Sequence, residues 1–175
     1  MQTNVRRKGA EVLEFTLVLL PLLAIVMVLL DTSWAIFAKS TLQYSVRQAT
    51  RRGVTITAAE LTTGQCLTDV VKSTVQQNSF GMLTGDSKLA LIKVNYFQPP
   101  KADSTDPVVD VSTQSDGNTP GNVIQVSVQG FSLLPLVPRL FSWSQKPDNN
   151  PLLISVYAAD RIEPSRNPPC IGTAP

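Results

Sequence analysis

The sequence predicts an α+β protein with a long N-terminal transmembrane and amphipathic helix, a second helix and a small antiparallel sheet. Three observations predict it. Residues 15–30 form an unbroken apolar run. Apolar residues then recur at helical spacing to about residue 52, and past residue 89 the period changes to two. The 175 residues leave room for one compact domain of roughly 100 to 150 residues beside that helix, not for two independent enzymes.

The apolar run reads FTLVLLPLLAIVMVLL, with Thr16 as its only polar residue. Its length corresponds to about 24 Å of helix, short of a hydrocarbon core of roughly 30 Å, but continuation to Ala38 makes it long enough to cross. Asp31 then falls near the far interface, where a carboxylate costs much less than at the bilayer centre. Pro21 removes a backbone donor and is expected to kink the helix, which lipid tolerates. A cleaved secretory signal needs a small-residue site soon after the apolar core, and residues 31–38 supply a poor one, so a retained single span is expected.

Beyond the span, Lys39, Gln43, Arg47 and Arg51 recur every four residues as one polar row, with Trp34, Phe37, Ala38 and Val46 on other faces. The helix is expected to end near Arg52, with Gly53 as its stop signal. Thr57-Ala58-Ala59-Glu60 reads as a capping box for a second helix running through Cys66 and Val70-Val71 to about Gln77, weakened at Gly64. Ala90, Ile92, Val94 and Tyr96 alternate with polar residues, as do Ile124, Val126 and Val128, and both sets predict half-buried strands. Residues 107–113 and 152–159 are the candidate partner strands, with turn-rich spacers at 98–106 and 115–121. The proline-rich stretch 133–150 is expected to be a surface loop, and residues 164–175 to lack regular structure.

Composition narrows the chemistry. Charged residues make up 16% of the chain and the net charge is +2, which leaves no footprint for nucleic acid. Histidine is absent, which removes histidine-based triads and histidine-ligated metals. Acidic residues of the outer part, such as Asp103, Asp106, Asp116 and Asp148, are scattered through turns rather than paired for acid–base work. No catalytic residue, cofactor, metal or small-molecule substrate is therefore expected. Cys66 and Cys170 lie beyond the span, where an even cysteine count favours one disulfide over two free thiols.

The segment RRKGAEVLEF at residues 6–15 places two carboxylates, Glu11 and Glu14, at the threshold of the apolar run. They read either as headgroup anchors that suit the helix dipole, or as part of a processing site with a basic tail, Gly9 and a carboxylate five residues on. The cation count on the two flanks does not fix orientation. The denser Arg6-Arg7-Lys8 cluster, and a disulfide-capable domain on the other side, favour a cytoplasmic N-terminus.

Residues 6–53 resemble the opening of TadE-like pseudopilins, the minor prepilin-like proteins of Tad (Flp) pilus machines. The matching elements are Arg6-Arg7, the Gly9-Ala10 junction, Glu14-Phe15, Pro21 within the apolar run and the amphipathic continuation to Arg52-Gly53. Asp31 and Gln48-Ala49-Thr50 depart from the family pattern and leave the junction untouched. The resemblance implies cleavage by a prepilin peptidase between Gly9 and Ala10, making Glu14 the fifth mature residue, with Glu11, Glu14 and Phe15 serving assembly. It divides the chain into a leader at 1–9, a helix at 10–53, an extracytoplasmic α+β domain at 54–163 and a tail at 164–175. The implied partners are the bacterial inner membrane, the peptidase, other pilins or pseudopilins and the pilus assembly platform, with the C-terminal domain periplasmic. The alternative, a signal-anchored envelope binding module, leaves Gly9, Glu11 and Glu14 without a purpose.

Overall fold

A computed structural model of the chain describes residues 4–61, 64–100, 107–133, 151–163 and 170–172, with side chains from residue 10 onward. Helix α1, Asn4–Thr55, is a single α-helix of 52 residues that continues through Pro21. At 1.5 Å per residue it is about 78 Å long. The chain divides into two units, Met1–Phe37 with Leu133–Leu152, and Ala38–Ser132 with Leu153–Pro175.

In the first unit, α1 shows apolar side chains all round. Its most apolar 18-residue window has no buried residue, and by length and composition the helix can cross a membrane. The few hydroxyls in this stretch are bonded within the helix. Thr16 donates to the carbonyls of Val12 at 2.6 Å and Leu13 at 3.1 Å, Thr32 to Val28, and Ser33 to Leu29 at 2.7 Å. Such back-bonding leaves no side-chain hydroxyl donor in need of water.

The second unit holds helix α2 (Leu67–Asn78), the short helix α3 (Asp86–Leu89) and strands β1 (Ile92–Gln98), β2 (Val109–Asp110), β3 (Val123–Leu133) and β4 (Leu152–Arg161). The sheet order is β2-β1-β3-β4. Strand β1 runs antiparallel to both neighbours, with Phe97 opposite Asp110 and Val94 opposite Val126. Period-two burial makes one face of this sheet apolar, with Ile92, Val94, Tyr96, Ile124, Val126 and Val128 all buried. The helices supply the matching surface. From Ala38 onward, α1 buries Ala38, Leu42, Val46 and Ala49, and α2 buries Leu67, Val71 and Val75, each at steps of three or four.

Four sequence expectations are corrected. Gly53 does not end the first helix, which runs to Thr55. A Cβ at Gly53 would lie 2.9 Å from Ile124 Cδ1 and 3.0 Å from Val71 Cγ2, so the glycine permits close packing of α1 on β3 and α2. The second helix does not begin at Thr57. Residues Ala58–Glu60 form only a 3₁₀ turn, and α2 starts at Leu67 with Cys66 as its N-cap. The reason is local: Gly64 sits at φ +87°, and Glu60 is engaged by the Thr57 hydroxyl at 3.3 Å and by Arg52 at 3.5 Å. Ala90 lies outside β1, which starts at Ile92. The proposed loop at 133–150 contributes Leu133 to β3, and residues 134–150 lie outside the described residues, as does most of the tail.

Candidate functional site

Gly9, Ala10, Glu11, Glu14 and Phe15 all fall within α1. Ala10 and Glu14 are four residues apart and Glu11 and Glu14 three apart, so all three share one helix face. Ala10, Glu11 and Glu14 are exposed, and Phe15 is 64% exposed. Among the described residues, neither carboxylate has an ion-pair partner within 4 Å; the pair found there is Arg52–Glu60. One turn further on begins the apolar segment, with Leu17, Val18 and Leu20 each about two-thirds exposed. The arrangement is a charged face set at the rim of a surface that cannot stay in water.

At the other end of the chain, Cys66 and Cys170 form a disulfide with a Cα–Cα distance of 4.9 Å. The link holds residues 170–172 against the start of α2. There the carbonyls of Cys170 and Ile171 accept from the N–H groups of Leu67 at 2.7 Å and Thr68 at 3.0 Å. These are helix N–H groups that have no partner within α2 itself. Asp69 adds a reciprocal contact, its carboxylate accepting from the Cys66 N–H at 3.2 Å. Ile171 is buried, and Gly172, at φ +91°, would place a Cβ 2.9 Å from Cys66 Cβ. The segment is thus a strap that caps a helix, a role the cysteine spacing alone does not reveal.

A polar knot joining buried Tyr96 and Ser112 to the exposed Asp110 fixes the β1–β2 end of the sheet. The Ser112 hydroxyl accepts from the Tyr96 N–H at 2.8 Å and donates to Asp110 at 2.5 Å, while the Ser112 N–H also donates to Asp110 at 2.9 Å. These two bonds from Ser112 hold the Asp110 carboxyl below the usual carboxylate range. Burial pushes the Tyr96 phenol up to about 12, a rise only partly offset by its contact with Thr68 at 3.5 Å. Sequence reasoning missed this knot, because a serine between two unpaired-looking turns carries no pattern.

Two surface depressions lie in the second unit. One is lined by Pro120, Gly121, Arg161, Ile162 and Glu163, the other by residues 112–115 and 170–172. Among the described residues, no group of three or more metal-ligating side chains comes together.

The fold and the exposed apolar helix fit a single-pass membrane anchor that carries a small, disulfide-closed α+β unit. Residues 9–51 match the family model of TadE-like protein. The match covers roughly a quarter of the chain and includes the Gly9-Ala10 junction, Glu11, Glu14 and Phe15. It agrees with the resemblance read from residues 6–53. No curated protein and no solved structure matches the chain.

Proposed function

We propose that this protein is a prepilin-like minor subunit or assembly factor of a Tad/Flp pilus machine. A prepilin peptidase cuts it between Gly9 and Ala10, and it then acts by bundling its apolar helix with those of other subunits in the bacterial inner membrane. Its N-terminus is cytoplasmic, its α+β unit periplasmic, and it turns over no substrate. The observation that carries this reading is the position of the Gly9-Ala10 junction and of Glu14: both lie inside the TadE-like match and immediately before the exposed apolar stretch.

The physical logic is charge pairing. A carboxylate drawn to the edge of a hydrocarbon core is costly unless a cation meets it. Cleavage creates that cation as a new amino group at Ala10, which the Glu14 carboxylate of an adjacent helix accepts. Before cleavage the Ala10 nitrogen is an uncharged peptide amide preceded by three basic residues, so it supplies no cation to an apolar bundle. Processing therefore switches a monomeric anchor into an assembly-competent one.

Glu14→Gln tests the pairing. The variant is expected to insert, to be cut and to form its disulfide, while pilus assembly and helix–helix cross-linking fall at least fivefold, roughly the 1 kcal/mol scale of a partly exposed ion pair. Glu11→Gln is expected to be milder, since Glu11 stays nearer the headgroups. Normal pili and unchanged cross-linking with Glu14→Gln would make the carboxylate an interfacial anchor and leave the signal-anchored envelope module as the better description.

A further inference from the structure

Helix α1 and strand β4 run in the same direction through the second unit. The Gln43 amide of α1 donates to the Tyr157 carbonyl of β4 at 2.9 Å. Two and a half turns on, a Cβ at Gly53 would meet Ile124 near the start of β3. That start lies beside the far end of β4, where the Ile162 N–H donates to the Asn122 carbonyl at 2.8 Å. Residues 43 to 53 of α1 therefore track residues 157 to 162. In the other direction Ala38, the first residue of α1 in this unit, is about 7.5 Å along the helix from Gln43, and Leu153 is about 13 Å along the strand from Tyr157. The opening of β4 thus lies at the end of the unit where α1 enters.

That end displays apolar side chains from two separate elements. Strand β4 opens with Leu152 and Leu153, both exposed, the latter by 63%. The turn after α2 presents Phe80, 78% exposed. A series of contacts brings this turn to the same end. The Lys88 ammonium donates to the Met82 carbonyl at 2.8 Å and lies 5.6 Å from the centre of the Phe131 ring, and the N–H of the adjoining Gly130 donates to the Ser155 hydroxyl at 3.3 Å, two residues from Leu153.

We infer that this end of the second unit rests in the bilayer surface, with Phe80 and Leu153 inserted among lipid headgroups and upper acyl chains. What covers them follows from α1. The helix passes without a break through Phe37 and Ala38, and up to that point it carries exposed apolar side chains, Ile36 and Phe37 included, that belong in hydrocarbon or at its border. Trp34 and Phe37, with ring centroids 5.8 Å apart, are the aromatic pair expected at a headgroup boundary, and Lys39 is the first cation after Lys8. The membrane surface therefore meets the chain where α1 enters the unit, with no linker between them. Exposed Lys39 and Asp86 offset each other, so the contact is apolar insertion rather than recognition of an anionic headgroup. The inference rests on the membrane-anchor reading, not on processing or pilus assembly.

The test uses the full chain in native envelope membranes, with the photo-cross-linker p-benzoylphenylalanine in place of Phe80, Leu153, Leu20 or Val109, one position at a time, and adducts identified by mass. Leu20 reports on the anchor itself. Val109 is also exposed and apolar, but β2 pairs with Phe97 and Gln98 at the opposite end of the sheet. Phospholipid adducts are expected at 80 and 153, with yields roughly fivefold or more above that at 109. Lipid adducts at 20 with none at 80 and 153 would overturn this inference and leave the anchor standing, whereas no lipid adduct at 20 would overturn both. Adducts at 80 and 153 confined to another protein or a second copy of this chain, or a lipid yield at 109 equal to theirs, would also overturn it.

Discussion

Replacing both Cys66 and Cys170 by serine removes the covalent strap without leaving a lone thiol. The two residues are 104 apart in sequence, a loop for which the chain-entropy model assigns about 4.7 kcal/mol of stabilisation. Strap contacts change that figure little. Two backbone hydrogen bonds at about 1 kcal/mol each and burial of Ile171 at about 2 kcal/mol favour the docked strap. Ordering three residues, at about 1 to 2 kcal/mol each, opposes it and roughly cancels the gain once the link is gone. The expected loss is therefore about 2 to 5 kcal/mol in the second unit, read by urea titration with pulse proteolysis of the full chain in detergent. Hydrogen exchange should accelerate first at the Leu67 and Thr68 amides, whose acceptors lie on the strap. A loss below about 1 kcal/mol, or unchanged exchange at those amides, would refute the view that the link holds a helix cap in place.

The Tyr96 phenol titrates near 12 in the folded protein and near 10 when unfolded. Its contribution is complete below pH 10 and is lost as pH rises through 12, an amount of roughly 2 to 3 kcal/mol. Tyr96→Phe should remove that part of the alkaline destabilisation, measured as the wild-type minus variant difference in unfolding free energy between pH 9 and 12. Leu42, fully buried, and Leu20, 65% exposed, give a matched pair on one helix. Leu42→Ala should cost the second unit about 2 to 5 kcal/mol, whereas Leu20→Ala should leave its stability within about 0.5 kcal/mol, by the same urea titration.

Periodicity made most of the architecture legible. Alternation at Ile92, Val94 and Tyr96, and at Ile124, Val126 and Val128, is the signature of a sheet buried on one face, and those residues are buried. What escaped was governed by packing partners distant in sequence. Gly53 looked like a helix stop because stop and close-approach glycines are identical in sequence; only the nearness of Ile124 and Val71 separates them. Thr57-Ala58-Ala59-Glu60 carries the letters of a capping box, yet no apolar face follows it to dock, so propensity alone could not propagate a helix through Gly64. The true N-cap, Cys66, is completed by acceptors from Cys170 and Ile171, about a hundred residues away. At the candidate site, the acidic pair at Glu11 and Glu14 was readable because carboxylates beside a long apolar run are conspicuous.

The central claim is that residues 1–9 are a leader removed at the Gly9-Ala10 junction. The most direct measurement is the N-terminal residue of the protein recovered from envelope fractions of cells that contain a prepilin peptidase, by intact mass and N-terminal sequencing. The expected chain begins at Ala10, and Gly9→Val, which crowds the scissile backbone, should keep the leader attached. A native chain that still begins at Met1 in those cells would contradict the account.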